Sequence, residues 1–515
     1  MAGDHITVHV DWLARRLTQQ QEDAAASEQD RATASHRVGR VPAHLRLARR
    51  DAYTPGFVAI GPLHADDPRL RPGYRLKLAY LHSLILRGHR DDPAKHREVI
   101  GRYVAVVAAR EREARAMYAA EDVEGLGAED FVQMLVLDGC FVIEHLVNVA
   151  VGREEPSLHA TPFGATQLSV DLVLAENQMP FFVLVELIRH TELPPIPEFE
   201  FAAYDKPALL MKLALYYLAG DKGRDMSIEG MLPVSADGVS HLLHLLHATV
   251  TAARTRWLPP PAPGVQDVVG TAQEAARLLR RLPLLLLVPL LYPILPEERR
   301  WSASYGREDL PSATDLKRMW VRFKRARGRG SKSSSSSSAA IASVLGPVPL
   351  AVALEHEDCL RLPRLRIEFR TAPLLLNLMA FEQSQSSSEQ RLGAGDVSAY
   401  AWLMAKLVQS PEDAGVLVAA EVVVQGSTAG SEGKDDVARF FREMGAASEA
   451  AEQVERSYLG ETLAKLRERS RHPLFMMWAD VARNYFTVPW AVVAEFVAFV
   501  TFISTILQTY GSFKH

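Results

Sequence analysis

Glu176, Asn177 and Gln178 stand together between two apolar runs, where a carboxylate beside two carboxamides could offer acid–base and hydrogen-bonding groups to a ligand. The apolar flanks favour another use. Polar side chains at a break between buried helices satisfy the backbone donors and acceptors left free there. Asp138, followed by Gly139 and Cys140, reads the same way, and neither group supplies a nucleophile with its base. His241, His244 and His247 fall at i, i+3 and i+6, neighbouring helical positions that a metal could bridge. No fourth ligand is evident, and the intervening leucines predict an amphipathic helix with partly exposed histidines. Glu355, His356, Glu357, Asp358 and Cys359 mix ligand types without an organised metal spacing and read as a charged turn.

Two further patterns fall short of the chemistry they suggest. Gly328, Gly330, Lys332 and Ser333 resemble a phosphate loop, but Ser331 separates Gly330 from Lys332 and a serine tract follows where an apolar helix is required. Arg318, Arg322, Lys324, Arg325, Arg327, Arg329 and Lys332 form a basic run with Trp320 and Phe323 interleaved, which could meet nucleic acid, anionic lipid or an acidic partner. A solvated loop flank is the simpler reading. Neither a Gly-x-Ser-x-Gly elbow nor a His-Glu-x-x-His pair occurs.

The elements that must position these residues are mostly helical. Apolar residues recur at helical spacing over Tyr74 to Arg87 and His96 to Ala120. Residues 130–151 are apolar around most of the circumference, as in a helix surrounded by others, and Gly139 would let a neighbour approach closely. Residues 171–188 read as two helical pieces meeting near Asn177, with Pro180 suited to the first turn of the second. Residues 283–296 are apolar but too short to span a bilayer and broken by Pro289 and Pro293, which predicts a kinked core segment. Short strands are expected between Val344 and Arg370, LRIEF among them, before helical periodicity returns. The chain has 515 residues, 48% hydrophobic and 23% charged, with a formal net charge of −4, so it has no global attraction for nucleic acid or anionic lipid. Two cysteines, Cys140 and Cys359, exclude a scaffold stapled by several disulfides, and the polar start argues against a secretory signal.

Residues 488–507, VPWAVVAEFVAFVTFISTIL, would rise about 30 Å as a helix, the thickness of a bilayer core. Val492, Val493, Phe496, Val497, Phe499, Val500, Phe502, Ile503, Ile506 and Leu507 favour insertion, with Trp490 at an interface, opposed by Glu495, which can reach the interface. Lys465, Arg467, Arg469, Arg471 and Arg483 favour a cytosolic N-terminal side. The expectation is a single-pass C-terminal anchor with a cytosolic body, at the plasma membrane or an endomembrane.

FVAIGPLH (57–64), FVQMLVLDGCF (131–141), DLVLAENQMPFFVLVEL (171–187), LLLNLMAFEQ (374–383) and YFTVPW (485–490) together resemble the plant-specific domain of unknown function 247 family, also called uncharacterised protein family 0481. The resemblance runs from about Tyr53 to the C-terminus. It implies a plant protein, commonly with a terminal membrane segment and without an established catalytic reaction; some grass members are associated with self-incompatibility. Its motif residues here are Gly61, Pro62, Asp138, Gly139, Cys140, Phe141, Glu176, Asn177, Gln178, Pro180, Phe181 and Phe182, read as structural. AEVVVQG (420–426), the serine insertion and Glu495 depart from the family's usual pattern.

The resulting expectation is a mainly α protein, a large helical body with a minor β element and one C-terminal transmembrane helix. Residues 1–50 form a variable lead, 51–325 and 341–487 the two parts of the helical family domain, 326–340 a basic and serine-rich flexible insertion, and 488–510 the anchor. No catalytic, cofactor or metal residue is assigned. The function expected is protein–protein recognition or signalling at a membrane, with an unknown protein partner and no nucleic acid. The alternatives are an enzyme whose site is assembled only in the fold, and nucleic-acid or anionic-lipid binding through 318–332.

Overall fold

The structure is a computed structural model, which describes residues 38–87, 92–153, 164–196, 205–228, 235–251, 310–326, 350–355, 358–384, 395–425, 431–448, 451–485, 501 and 504–505. Its principal helices run in order α1 (Arg71–Leu86), α2 (Pro93–Ala108), α3 (Ala128–Ala150), α4 (Gly164–Asp171), α5 (Phe181–Arg189), α6 (Lys206–Ile228), α7 (Leu242–Thr251), α8 (Ala313–Arg318), α9 (Thr371–Ser384), α10 (Asp396–Leu407), α11 (Pro411–Ala419), α12 (Ser431–Ala447), α13 (Gly460–Arg471) and α14 (Pro473–Tyr485). The chain divides into two compact units. The first comprises Met1–Thr249, Ser336–Ile341 and Leu376–Leu392; the second comprises Val250–Ser335, Ala342–Leu375 and Gly393–His515.

In the first unit α3 is the central element, packed against α1, α2, α5 and α6. It is buried on nearly every side, with Phe131, Leu135, Phe141, Ile143 and Val147 among its inaccessible residues. Its two buried acids each meet a cation from the α1 strip of chain. Asp138 pairs with Lys77, and Glu144 accepts both from Arg87 Nη2, at 2.7 and 2.6 Å, and from Ser83 Oγ at 3.0 Å. Stacking of Tyr80 on Phe141, with ring centroids 5.2 Å apart, fills the space between these pairs. The start of α2 follows from local chemistry: Asp92 accepts from the N–H groups of Ala94 and Lys95, and Pro93 occupies the first turn.

The second unit joins helices to short strands β1 (Arg322–Arg325), β2 (Ala353–Glu355), β3 (Cys359–Leu362), β4 (Leu365–Ile367) and β5 (Val423–Gln425). The order β1-β3-β2 has a parallel first pair, Arg322 opposite Cys359, and an antiparallel second pair, Leu354 opposite Leu360; β4 and β5 pair in parallel. Helices α10 and α11 pack on α12, and α8 packs on α11 and α14. A reciprocal capping box of Ser410 and Asp413 sets the start of α11.

The helical character and the minor strands agree with the residue pattern, but the expected C-terminal transmembrane helix needs correcting. Among the described residues, the helix long and apolar enough to cross a membrane is α3, in mid-chain, and 83% of its apolar window is buried inside the protein. Helical periodicity and an apolar composition are common to a bilayer helix and one enclosed by other helices. Of the expected anchor, 488–510, the described residues are Thr501, Ser504 and Thr505, which are helical; the rest of it, 283–296 and the serine tract lie outside the described residues.

Candidate functional site

Residues 56–61 form an irregular segment whose N–H groups must find acceptors, and three buried side chains of the first unit supply them. Asp171, at the end of α4, accepts from Gly56 at 3.0 Å, Phe57 at 2.7 Å and Val58 at 2.9 Å. Asn177 Oδ1 accepts from Ile60 at 2.7 Å, and Asp138 Oδ2 accepts from Gly61 at 2.7 Å. The Asn177 amide donates in turn to the carbonyls of Val58 and Asp171. The stretch 172–180 between α4 and α5 is thus tied to 56–61.

The neighbours of Asn177 are spent in the same way. Gln178 Nε2 donates to the carbonyls of Leu172, Leu174 and Asn177, and its Oε1 accepts from Leu243 N–H at 3.0 Å. Glu176 accepts from Val41 N–H at 2.7 Å, pairs with Arg46, and lies 3.6 Å from His64 Nε2. Burial, assisted by the Arg46 charge, pushes His64 down to about 4, so its ring is neutral at pH 7. Gly61 has a φ of 74°, and a Cβ there would lie 2.5 Å from the Gln178 carbonyl oxygen, which also accepts from Tyr118 Oη at 3.1 Å. Pro62 begins the turn that follows, and its carbonyl accepts from Ala65 N–H.

The remaining motif residues are packing groups. At Gly139 a Cβ would come 2.3 Å from Leu187 Cδ1, so its absence permits the close approach of α5. Cys140 is free and buried, and burial raises its thiol far above the usual range, which is the opposite of nucleophile activation. Pro180 is the N-cap of α5, Phe181 is inaccessible with its N–H on the Ser240 carbonyl, and the Arg110 guanidinium lies 4.0 Å above the Phe182 ring.

The histidine row is buried, where partial exposure was expected. The rings of His241, His244 and His247 surround Phe381 with centroid separations of 5.3, 5.7 and 5.3 Å. His247 Nε2 lies 2.9 Å from Glu382 Oε1, and among the described residues no group of three ligands is arranged to hold a metal. In the second unit Arg318 pairs with Asp315, Arg322 with Asp358 and Arg325 with Glu421; Arg327, Arg329, Lys332, His356 and Glu357 lie outside the described residues. Cys359 is buried and free.

A cleft of about 300 Å³ opens beside this network, walled by Leu70, Tyr74, Met134 and Leu137, with Lys77 and Asp138 on its floor. Lys77 is 7% and Asp138 1% exposed. Burial pushes the Asp138 carboxyl up, while the Lys77 ammonium and the Gly61 N–H pull it back toward the charged form. Arg71, Asp67, Asp130 and Gln133 stand around the mouth, Asp67 being held by Arg69 at 2.6 Å.

Reading the residues alone missed Lys77, Arg87, Arg46, Asp171 and Asn377 as members of this constellation. Asn377 accepts from Ala175 N–H and donates to the Ala52 carbonyl, both at 2.7 Å. A usable signal was present: Lys77 shares the apolar face of Leu76, Tyr80 and Leu84, and Asp171 and Asn377 are polar residues flanked by apolar runs.

The family described as "Plant protein of unknown function", DUF247, matches residues 38–504. A UPF0481 protein of Arabidopsis thaliana is 23% identical over 480 residues, 92% of this chain and 85% of its own length. A second UPF0481 protein of the same plant is 29% identical over 162 residues, 32% of this chain and 28% of its own. No solved structure matches.

Proposed function

The chain belongs to the DUF247 family of plant proteins, whose function is unknown, and from that premise we propose that it is a recognition or signalling component whose first unit binds another protein through the cleft beside Tyr74. One observation carries this reading. The cleft has apolar walls, a charged floor and a polar rim, the build of a pocket that accepts one anchoring side chain of a partner. Its volume is at the lower limit for small-molecule sites, about 300 to 1,000 Å³, which suits a single side chain. Of the two acids considered for acid–base chemistry, Glu176 holds the Val41 N–H and pairs with Arg46, and Asp138 holds the Gly61 N–H and pairs with Lys77, which favours the binding reading over the enzyme alternative.

A photo-crosslinking residue in place of Gln133 at the rim, in the full chain in plant tissue, tests the proposal. Crosslinks to a discrete set of proteins, lost when Met134→Trp fills the cleft, support it. Protein crosslinks that Met134→Trp leaves unchanged, or crosslinks confined to small metabolites, refute it.

A further inference from the structure

The floor of the cleft holds a donor and an acceptor side by side. The Lys77 ammonium carries three N–H donors and, among the described residues, its hydrogen-bond partner is Asp138. Asp138 accepts from Lys77 through one oxygen and from Gly61 N–H through the other, leaving lone pairs on both. An occupant reaching the floor therefore meets a group that only donates and a group that only accepts. Two carboxylates, Asp67 and Asp130, and one guanidinium, Arg71, complete the charges facing the space. A carboxylate or phosphate at the floor would sit against Asp138, and a cation would sit against Lys77. The occupant's tip must be neutral, and it must accept and donate at once.

A hydroxyl does both: its oxygen accepts from Lys77 and its proton is donated to Asp138. The walls add a second requirement. Leu70, Tyr74, Met134 and Leu137 present an apolar slot, and Tyr74 is 47% exposed, so an aromatic ring can lie against it. Resting on the recognition reading above, we propose that the cleft takes the phenol of a tyrosine from a partner protein, ring against Tyr74 and Met134, hydroxyl between Lys77 and Asp138. Leaving a buried charged pair without the group that completes its hydrogen bonds is unfavourable, so the hydroxyl sets specificity while the ring supplies contact area.

Ligand-observed NMR on the full chain with small probes tests this. N-acetyl-tyrosinamide is compared with N-acetyl-phenylalaninamide, which lacks the hydroxyl, with the O-methyl-tyrosine amide, which accepts but cannot donate, and with the phosphotyrosine amide. The tyrosine probe should bind at least tenfold tighter than each of the others. Lys77→Met should remove that preference, and Met134→Trp, which leaves the ion pair in place, should abolish binding of all four. Equal affinity for the phenylalanine probe, preference for the phosphorylated probe, or no binding of the tyrosine probe overturns the assignment. If that happens while rim crosslinks to proteins remain sensitive to Met134→Trp, the tyrosine is wrong and the recognition site stands; if the crosslinks are insensitive as well, both fall.

Discussion

Replacing Gly61 by Ala tests whether the 56–61 segment is locked by the side chains placed around it. The φ of 74° requires an L-residue to enter the left-handed region, at a cost of about 1–2 kcal/mol. The new Cβ would meet the Gln178 carbonyl oxygen at 2.5 Å and the Tyr118 hydroxyl that donates to it at 3.1 Å, so the segment must move. Movement stretches the Gly61 N–H bond to Asp138, a hydrogen bond to a charged acceptor worth about 1.5–3 kcal/mol. The combined cost is about 3–4 kcal/mol. Gly139→Ala is the matched control: its Cβ approaches the movable tip of Leu187, and Ala in a helix recovers about 1 kcal/mol over Gly, so its net cost is about 1 kcal/mol. Hydrogen exchange read by mass spectrometry on the peptide covering 56–61 is the assay, because it reports this segment directly. Gly61→Ala should accelerate exchange there by roughly 10²–10³, since about 1.4 kcal/mol corresponds to a factor of ten. An acceleration below tenfold, or one equal to that of Gly139→Ala, refutes the reasoning.

Three other outcomes follow from buried groups. Asn377→Leu strands the Ala175 N–H and the Ala52 carbonyl and should cost about 3 kcal/mol, read as faster exchange at Ala175 and a lower urea midpoint. His145, enclosed by Tyr80, Phe141 and Tyr217, is pushed down to about 4 by burial, so the unfolded chain binds its proton first as pH falls below about 6.5. Stability should therefore be intact above that pH and decline by about 3 kcal/mol as pH approaches 4, and urea titrations of His145→Phe should lack this component; His64 adds one of the same sign. Cys140 and Cys359, both buried with raised thiols, should react with iodoacetamide only after unfolding, as followed by intact mass.

What was legible in the residues was local. Periodicity located α1, α3 and α5, and a polar triplet between apolar runs marked the break at 172–180, because each signal is written within a few turns of chain. The partners were not legible. Asp171 reaches back 113 to 115 residues to hold Gly56, Phe57 and Val58, and Asn377 reaches 325 residues to Ala52. Nothing in the local pattern of either residue specifies such a distant carbonyl or amide. The histidine row failed for a related reason: its spacing describes one helix face, whereas burial of that face depends on Phe381 and Glu382, contributed from more than a hundred residues away.

Helix α3 shows that an apolar run of spanning length can belong to a protein core. Its apolar window satisfies the length and composition of a bilayer helix, and its environment is protein. What separates the two cases is the treatment of charge. In lipid, an acid in the middle of the span must be shed or carried to the interface. In α3, Asp138 and Glu144 are kept deep inside because α1 and the residue after it bring Lys77 and Arg87 to them, with Gly61 N–H and Ser83 completing the coordination. Those pairs depend on one rotational setting and one axial register of α1 against α3, since a shift by a single residue would bury both acids without partners. The same alignment that satisfies α3 brings Lys77 and Asp138 together on the floor of the cleft, so the core contact and the proposed recognition surface share one ion pair.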